Sequence, residues 1–148
     1  MLYAGISGVM IPVLPGWEDL SQLTLAAVCD GFRHNLVLTV RESSERSAKV
    51  FAEDHVANLY VTLADISMNL EEPVAFGPHD GWLFDYEFTS NGNVFRQRQF
   101  FVFRGERVYN FTYTDLSDRF EANMEIMEQI IGGTRFAEDG PSHDRFEV

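Results

Sequence analysis

Histidine and carboxylate side chains are the first candidates for chemistry in this chain. The four histidines are His34, His55, His79 and His143, and none has HExxH or HxH spacing or a neighbouring cysteine. His79 precedes Asp80 in a predicted loop, where a metal or acid–base role is the alternative to a plain turn. His55 falls near the apolar stripe of a predicted helix, which indicates a half-buried structural histidine rather than a ligand.

Asp85 and Glu87 are the second candidates, because alternate residues of a strand share a face and paired carboxylates can divide acid and base roles. The alternative is ion pairing with Arg96 and Arg98 on the next strand, across an Asn-Gly turn, and we predict this pairing. Ser7 stands in a GISG run that does not complete the nucleophile-elbow motif and precedes no predicted helix.

Cys29 is the single cysteine, so the sequence predicts neither a disulfide framework nor a cysteine metal cluster. Without an adjacent cation, it is most simply a small buried residue. We therefore predict a protein that is not an enzyme, with no catalytic residue, no metal and no cofactor. The alternative is an enzyme that acts through Asp85, Glu87 or His79, which would require a pocket where one of them has a shifted pKa.

Gln97 and Gln99 place two amides on a strand face that also carries Phe95 and Phe101. A side-chain amide in a core must be hydrogen-bonded, or it costs about 1–3 kcal/mol. One interpretation is cross-strand bonding to threonine or asparagine neighbours. The other is a surface, half apolar and half amide, that receives a partner segment such as an apolar helix with occasional polar groups.

These amides belong to residues 82–114, where two glycine-centred turns separate three runs of strand-forming residues and so predict an antiparallel meander. The other predicted elements are strands over 2–14, 20–29, 35–41 and 68–76 and helices over 48–66 and 115–131. Pro73 indicates an edge or a bulge in the strand over 68–76. Ser44 or Ser47 is the predicted cap of the first helix.

This order predicts an α+β fold, an antiparallel sheet of six to seven strands with helices packed on it. Residues 1–136 form a single predicted domain, and residues 137–148 an acidic, frayed tail. The net charge of −12 argues against a nucleic-acid or anionic-membrane partner. The apolar N-terminus has no basic region and is broken by glycine and proline, so we predict a cytoplasmic protein with no stable membrane anchor.

Short motifs in a characteristic order connect the chain with a known family. They are LPGWED at 14–19 with Ser21, FRHNLVLTVR at 32–41, Asn91-Gly92 to Gln99 with Phe101, then Gly105, Val108-Tyr109, FTYT at 111–114 and a closing helix with Phe136. Over about residues 8–136 the chain thereby resembles the DcrB-like family, which shares the PsbP-like fold with the Ran-release factors. The resemblance implies an α/β/α sandwich with no catalytic constellation.

Members of that family without a signal peptide include the Eag chaperones of type VI secretion. These are homodimers that cradle the apolar N-terminal segments of effectors on a concave sheet face. The resemblance implies a homodimeric chaperone or adaptor, with Gln97 or Gln99 as the groove amide. It also implies that either Leu23 and Leu25 or Gln22 and Thr24 line the groove from the strand after the Trp-Glu-Asp-Ser motif. The implied partner-binding residues are Gln22, Leu23, Thr24, Leu25, Phe95, Gln97, Gln99 and Phe101.

Gln22 stands where the family often has isoleucine or valine. The alternative function is a binding protein of the same fold with another partner, such as a GTPase-directed or envelope factor.

Overall fold

The computed structural model describes residues 2–6, 9–18, 20, 22–29, 31–42 and 47–136. The strands are β1 (Leu2–Ile6), β2 (Val9–Val13), β3 (Gln22–Cys29), β4 (Phe32–Glu42), β5 (Ala64–Phe76), β6 (His79–Ser90), β7 (Asn93–Arg104) and β8 (Arg107–Leu116), and the helices are α1 (Ala48–Thr62) and α2 (Ser117–Gly132). The α+β prediction is confirmed. The predictions for Ser7, Ser44, His143, the tail 137–148 and the side chain of Cys29 lie outside the described residues.

Six strands form one antiparallel sheet in the order β3-β4-β8-β7-β6-β5. Asn91 and Gly92 both have positive φ, 51° and 80°, and Ser90 pairs with Asn93. A two-residue loop with two positive φ angles matches the twist of the flanking strands, so the Asn-Gly pair sets the β6–β7 register. At the next turn Gly105 also has positive φ, and the predicted meander is therefore confirmed.

The N-terminal residues differ from the prediction. Strands β1 and β2 pair with each other, from Leu2 opposite Val13 to Ile6 opposite Val9, as a separate two-stranded sheet. The prediction of one strand over 2–14 is therefore wrong, because its apolar composition does not reveal where the chain reverses. The Ser-Gly dipeptide in this run was the available turn signal.

Helix α1 begins at its predicted cap, where the Ser47 hydroxyl accepts a hydrogen bond from the Val50 amide at 3.3 Å. It ends at Thr62, earlier than predicted, because Leu63 is extended and Asp65 has a φ of 53° at the start of β5. Leu63 and Ile66 nevertheless pack against the same core as the helix, so the apolar stripe holds although its last two members are not helical.

The two helices cover opposite faces of the sheet, and each face has its own core. Under α1 the buried residues are Ala52, Leu59, Phe84, Tyr86, Phe101 and Val108, and under α2 they are Leu36, Val102, Phe111, Tyr113, Phe120 and Met127. Phe136 packs edge-on against Tyr109, with ring centroids 4.8 Å apart, and so closes the α2 side of the sheet. Neither helix in the described part of the chain is long and apolar enough to cross a membrane.

Candidate partner-binding site

The sheet face that carries α1 is only partly covered. The helix lies over β5 and β6 and over the aromatic end of β7, whereas side chains farther across the face are half-buried or exposed. We call this uncovered part the open face. It consists of Asn110, Thr112 and Thr114 on β8, Asn35, Val37 and Thr39 on β4, and Gln22, Thr24, Ala26 and Val28 on β3.

The strand register decides which predicted residues share this face. Gln99 lies opposite Thr112, Thr112 opposite Val37, and Val37 opposite Thr24. Because opposed residues of an antiparallel sheet point to the same side, Gln22 and Thr24 share the face of the two amides, and Leu23 and Leu25 lie on the other face. Between the two alternatives for β3, the geometry therefore places Gln22 and Thr24 on the face of the amides, with β4 and β8 between them.

Gln99 belongs to a continuous chain of hydrogen bonds. Its amide nitrogen donates to the Thr112 hydroxyl at 3.2 Å, and that hydroxyl donates to Oδ1 of Asn110 at 3.1 Å. Nε2 of His55 lies 2.6 Å from Oε1 of Gln99. Because this amide oxygen can only accept, Nε2 carries the hydrogen of the neutral imidazole.

Gln97 forms a second, parallel chain. The Tyr86 hydroxyl donates to its Oε1 at 2.6 Å, and its amide nitrogen donates to the Thr114 hydroxyl at 2.8 Å. Burial raises the pKa of Tyr86 well above its usual range, so this phenol is a donor throughout the working pH range. Both amides are thus satisfied by cross-strand threonines, as the first interpretation of the sequence expected.

The eight implied partner-binding residues occupy different depths. Gln99 and Phe101 are buried beneath α1, where the Phe51 ring lies 5.0 Å from the Phe101 ring. Gln97 and Phe95 are half-buried. The four residues of β3 are exposed, two on each face of the sheet. Gln22 and Thr24 therefore belong to the open face, Gln97 lies next to it, and Gln99 and Phe101 support it from beneath α1.

His55 is held in an aromatic environment. Its ring centroid lies 4.8 Å from that of Phe101 and 5.0 Å from that of Phe84. Burial lowers the pKa of His55; the hydrogen bond to Gln99 acts against this decrease, and the charge of Arg41 adds to it. The imidazole is therefore neutral near pH 7, in keeping with the predicted half-buried structural histidine.

Asp85 is fully buried on the α2 face, within an ionic cluster. Its carboxylate accepts hydrogen bonds from Nε of Arg96 at 2.7 Å, from Nε of Arg98 at 2.8 Å and from the Asn69 amide at 3.0 Å. Burial alone would raise the pKa of Asp85, but these donors outweigh it and hold that pKa below its usual range. The predicted cross-strand pairing is present and converges on Asp85, although Glu87 lies directly opposite Arg96.

Helix α2 closes this cluster from above. The Arg96 guanidinium lies 4.4 Å from the centre of the Phe120 ring and also bonds Glu121 at 2.7 Å. Its hydrogen bonds to Asp85 are the main reason that the pKa of Arg96 is raised. The cluster connects β6, β7 and α2, and its carboxylate is engaged as an ion-pair acceptor.

A buried polar group that the sequence did not indicate connects β4, β8 and α2. Nδ1 of His34 lies 2.9 Å from the Tyr113 hydroxyl, which donates to Asp115 at 3.0 Å. Asn123 of α2 donates to the same carboxylate at 2.7 Å. His34 and Tyr113 are 79 positions apart, so no spacing rule could have joined them. The group links three elements of the fold.

A shallow depression of about 500 Å³ lies between the β6–β7 turn and the start of α2. Its lining residues are Gly92, Asn93, Val94, Leu116, Ser117 and Asp118, none of which belongs to the predicted site. Within the described residues no group of three or more histidine, cysteine or carboxylate side chains is placed to hold a metal ion. The open face is therefore the surface that brings predicted site residues together.

No protein-family model matches the chain, and no curated protein matches it in sequence. Solved structures do match. PA94 of Pseudomonas aeruginosa, a protein of unknown function provisionally described as a regulator, aligns with a TM-score of 0.81 and 15% identity over 94% of this chain and 99% of its own.

Two further structures are more distant. LpqN of Mycobacterium tuberculosis, involved in cell envelope biogenesis, has a TM-score of 0.57 and 13% identity over 82% of this chain and 87% of its own. PsbP (CyanoP) of Synechocystis sp. PCC 6803 has a TM-score of 0.52 and 10% identity over 82% of this chain and 96% of its own. At such identities the likeness shows the fold alone, a PsbP-like α+β fold.

Proposed function

We propose that this chain is a non-enzymatic binding protein whose open face holds an apolar segment of a protein partner. The observation that carries the proposal is the open face itself. It is a sheet surface beside α1 whose half-buried threonine, asparagine and valine side chains have no helix over them. A partner helix can lay its apolar face into a groove of this kind.

The hydrogen bonds already made within the open face favour an apolar segment as the ligand. Thr112 and Thr114 already accept hydrogen bonds from Gln99 and Gln97. Apolar groups that cover the two threonines therefore do not leave the glutamine amides without a hydrogen-bond partner. The threonine methyl groups and Val37 offer apolar contact, and Asn110 offers an amide to an occasional polar group. The face therefore suits a mostly apolar segment with a few polar side chains.

The resemblance to the Eag chaperones supports a more specific form of the proposal. In that form, the protein is a cytoplasmic chaperone or adaptor that cradles the apolar segment of a secreted effector protein. The alternative is a binding protein of the same fold in another setting, and the structural likeness to LpqN favours an envelope factor over a GTPase-directed one. Both forms need a protein partner and no reacting group.

Capture of partners from the native cell tests the proposal when matched variants are compared. Tagged wild-type protein should retain, in stoichiometric amount, a protein that has an apolar segment of about 20 residues, the length of a membrane-spanning helix. Val37→Lys places a charge in the open face and should lose this partner. Val61→Lys, on a part of α1 that is 85% exposed, introduces the same charge elsewhere and should keep it.

The partner itself provides the second half of the test. Deletion of its apolar segment should abolish capture by the wild-type protein. A partner that still binds after this deletion, or binds Val37→Lys as well as wild type, would contradict docking on the open face. Retention of an envelope component without such a segment would favour the alternative function.

A further inference from the structure

The described arginines of this chain divide into two groups. In the larger group the side chains are held within the chain by hydrogen bonds, ion pairs or ring contacts; they are Arg96, Arg98, Arg104, Arg107, Arg119 and Arg135. The side chains of Arg33 and Arg41 are exposed and make no such contact with any described residue. The fold therefore leaves these two guanidinium groups available to a ligand.

Both of these arginines lie on β4, on the side of the sheet that carries α1. Arg33 is opposite Val28 of the open face, and Arg41 is opposite Val108, which is buried in the core under α1. Because opposed residues of an antiparallel sheet share a face, the two arginines extend the open face at its two ends. Their Cα atoms are separated by eight steps along the strand, which is a distance of about 26 Å.

The local charge of this surface is opposite to the charge of the whole chain. On the α1 face, the described strands β3, β4 and β8 carry only uncharged side chains apart from the two arginines. The chain as a whole has a net charge of −12. Charges farther apart than about 8 Å are largely screened at physiological salt, so a group docked at either end of the open face meets an arginine rather than the distant acidic surface. This surface therefore complements negative charge.

We propose that the open face selects an apolar helix that has a carboxylate at each end, about 17 residues apart, and that Arg33 and Arg41 bind these two carboxylates. The spacing follows from geometry, because an α-helix rises about 1.5 Å per residue and about 17 residues therefore cover the ~26 Å between the arginines. A guanidinium group can bind a carboxylate through two parallel hydrogen bonds, so each end is fixed in position as well as attracted. This inference rests on the proposed function, since it specifies the ends of the segment that the open face holds.

Acidic ends distinguish this partner from an ordinary membrane-spanning helix. Such helices commonly have lysine or arginine near the end that faces the cytoplasm. A basic end placed over Arg33 or Arg41 meets a like charge, and repulsion of a wrong partner supplies specificity that apolar contact alone does not give. The two arginines are therefore specificity residues, whereas Val37 and the threonines between them offer contact to any apolar segment.

Two synthetic peptides test this selectivity. Both have the same helical core of alanine, leucine and serine; one has glutamate at both ends, about 17 positions apart, and the other has lysine there. Fluorescence anisotropy of the labelled peptides with the full-length protein should show about tenfold tighter binding of the glutamate peptide, because two attractive surface contacts replace two repulsive ones. The ratio of the two affinities should approach one at about 1 M salt, where the screening length is only ~3 Å.

A charge reversal separates this role from a loss of folding. Arg33→Glu/Arg41→Glu should reverse the preference, so that the lysine peptide binds more tightly than the glutamate peptide, which a damaged fold could not produce. Lys49→Glu/Arg135→Glu is the matched control, because it changes the net charge by the same amount at exposed positions on α1 and after α2, outside the open face. This control should keep the wild-type preference for glutamate.

The possible failures of the inference and of the proposed function give different results. Equal binding of the two peptides by the wild type, or tighter binding of the lysine peptide, would overturn the role of the two arginines and keep the binding role of the open face. The same would follow if both double variants reversed the preference, because net charge alone would then be the cause. If neither peptide bound the wild type, the proposed function and this inference would both fail.

Discussion

The two halves of the sheet share one hydrogen-bond ladder but differ in what covers them. In the half formed by β5, β6 and β7, Phe84, Asp85 and Phe101 are fully buried between α1 on one face and the ionic cluster on the other. In the other half, every described side chain of β3 is exposed, and the α1 face of β4 is half-buried. The difference indicates that the strand faces packed under the two helices supply fold stability, whereas β3 and the α1 face of β4 are available for contacts with other chains.

The largest expected effect is in the closed half, at Asp85. Asp85→Ala removes the fully buried carboxylate that Arg96 and Arg98 share and should lower the free energy of unfolding by about 3–5 kcal/mol. Urea unfolding followed by circular dichroism measures the change. Glu87→Ala, two residues along on the same face, should lower the free energy of unfolding much less. Equal losses for the two variants would show that the ionic cluster around Asp85 does not stabilise the fold more than an ordinary surface carboxylate does.

Gln97 should show an intermediate effect, because its loss leaves the buried Tyr86 hydroxyl without an acceptor. Gln97→Leu should lower the free energy of unfolding by about 1–3 kcal/mol. The double variant Tyr86→Phe/Gln97→Leu removes both partners and should recover part of this loss. Denaturant unfolding of the wild type, both single variants and the double variant measures these losses. If the double variant loses as much unfolding free energy as the two single variants together, the hydrogen bond between Tyr86 and Gln97 is not the cause.

Acid should act on the closed half in two steps. The pKa of His55 is lowered in the folded state, so the unfolded chain binds the proton more readily, and stability falls as the pH decreases through about 6.5. The pKa of Asp85 is also lowered, so further stability is lost below about pH 4. Unfolding free energies from pH 8 to pH 3 measure both steps. His55→Gln should remove the first step and leave the second, and a profile unchanged by this variant would refute the assignment.

The smallest effect on folding is expected in the open half. Thr24→Lys changes an exposed side chain of β3 and should alter the free energy of unfolding by no more than about 0.5 kcal/mol. A thermal melt of the wild type and the variant at the same concentration is sufficient. A loss as large as that at Gln97 would mean that β3 contributes to the fold as the closed half does, and the contrast between the halves would fail.

Much of the closed half was predictable from local sequence. Asn91-Gly92 and Gly105 determine tight turns, and each turn specifies the register of the strands beside it, so the opposition of Asp85 and Arg98 follows from residues only 13 apart. Ser47 likewise marks the start of α1 through a local hydrogen bond. The pairing of Gln97 and Gln99 with threonines was one of two interpretations that the residues allowed.

The candidate site was less predictable because it depends on contacts between distant segments. The sequence did not tell which face α1 covers, and therefore did not tell that Gln99 and Phe101 lie beneath the helix while Thr112 and Val37 stay half-buried beside it. His55 was recognised as half-buried, but its bond to Gln99 joins residues 44 apart.

The sequence by itself determined the elements after residue 20 and the meander, because these follow from side-chain periodicity and from turn residues that act over a few positions. Only the tertiary structure decided that β4 returns to pair with β8, which places β3 at an unprotected edge and brings His34 to Tyr113. Such pairings arise from the burial of whole faces, and burial depends on the summed surface of elements far apart in the chain.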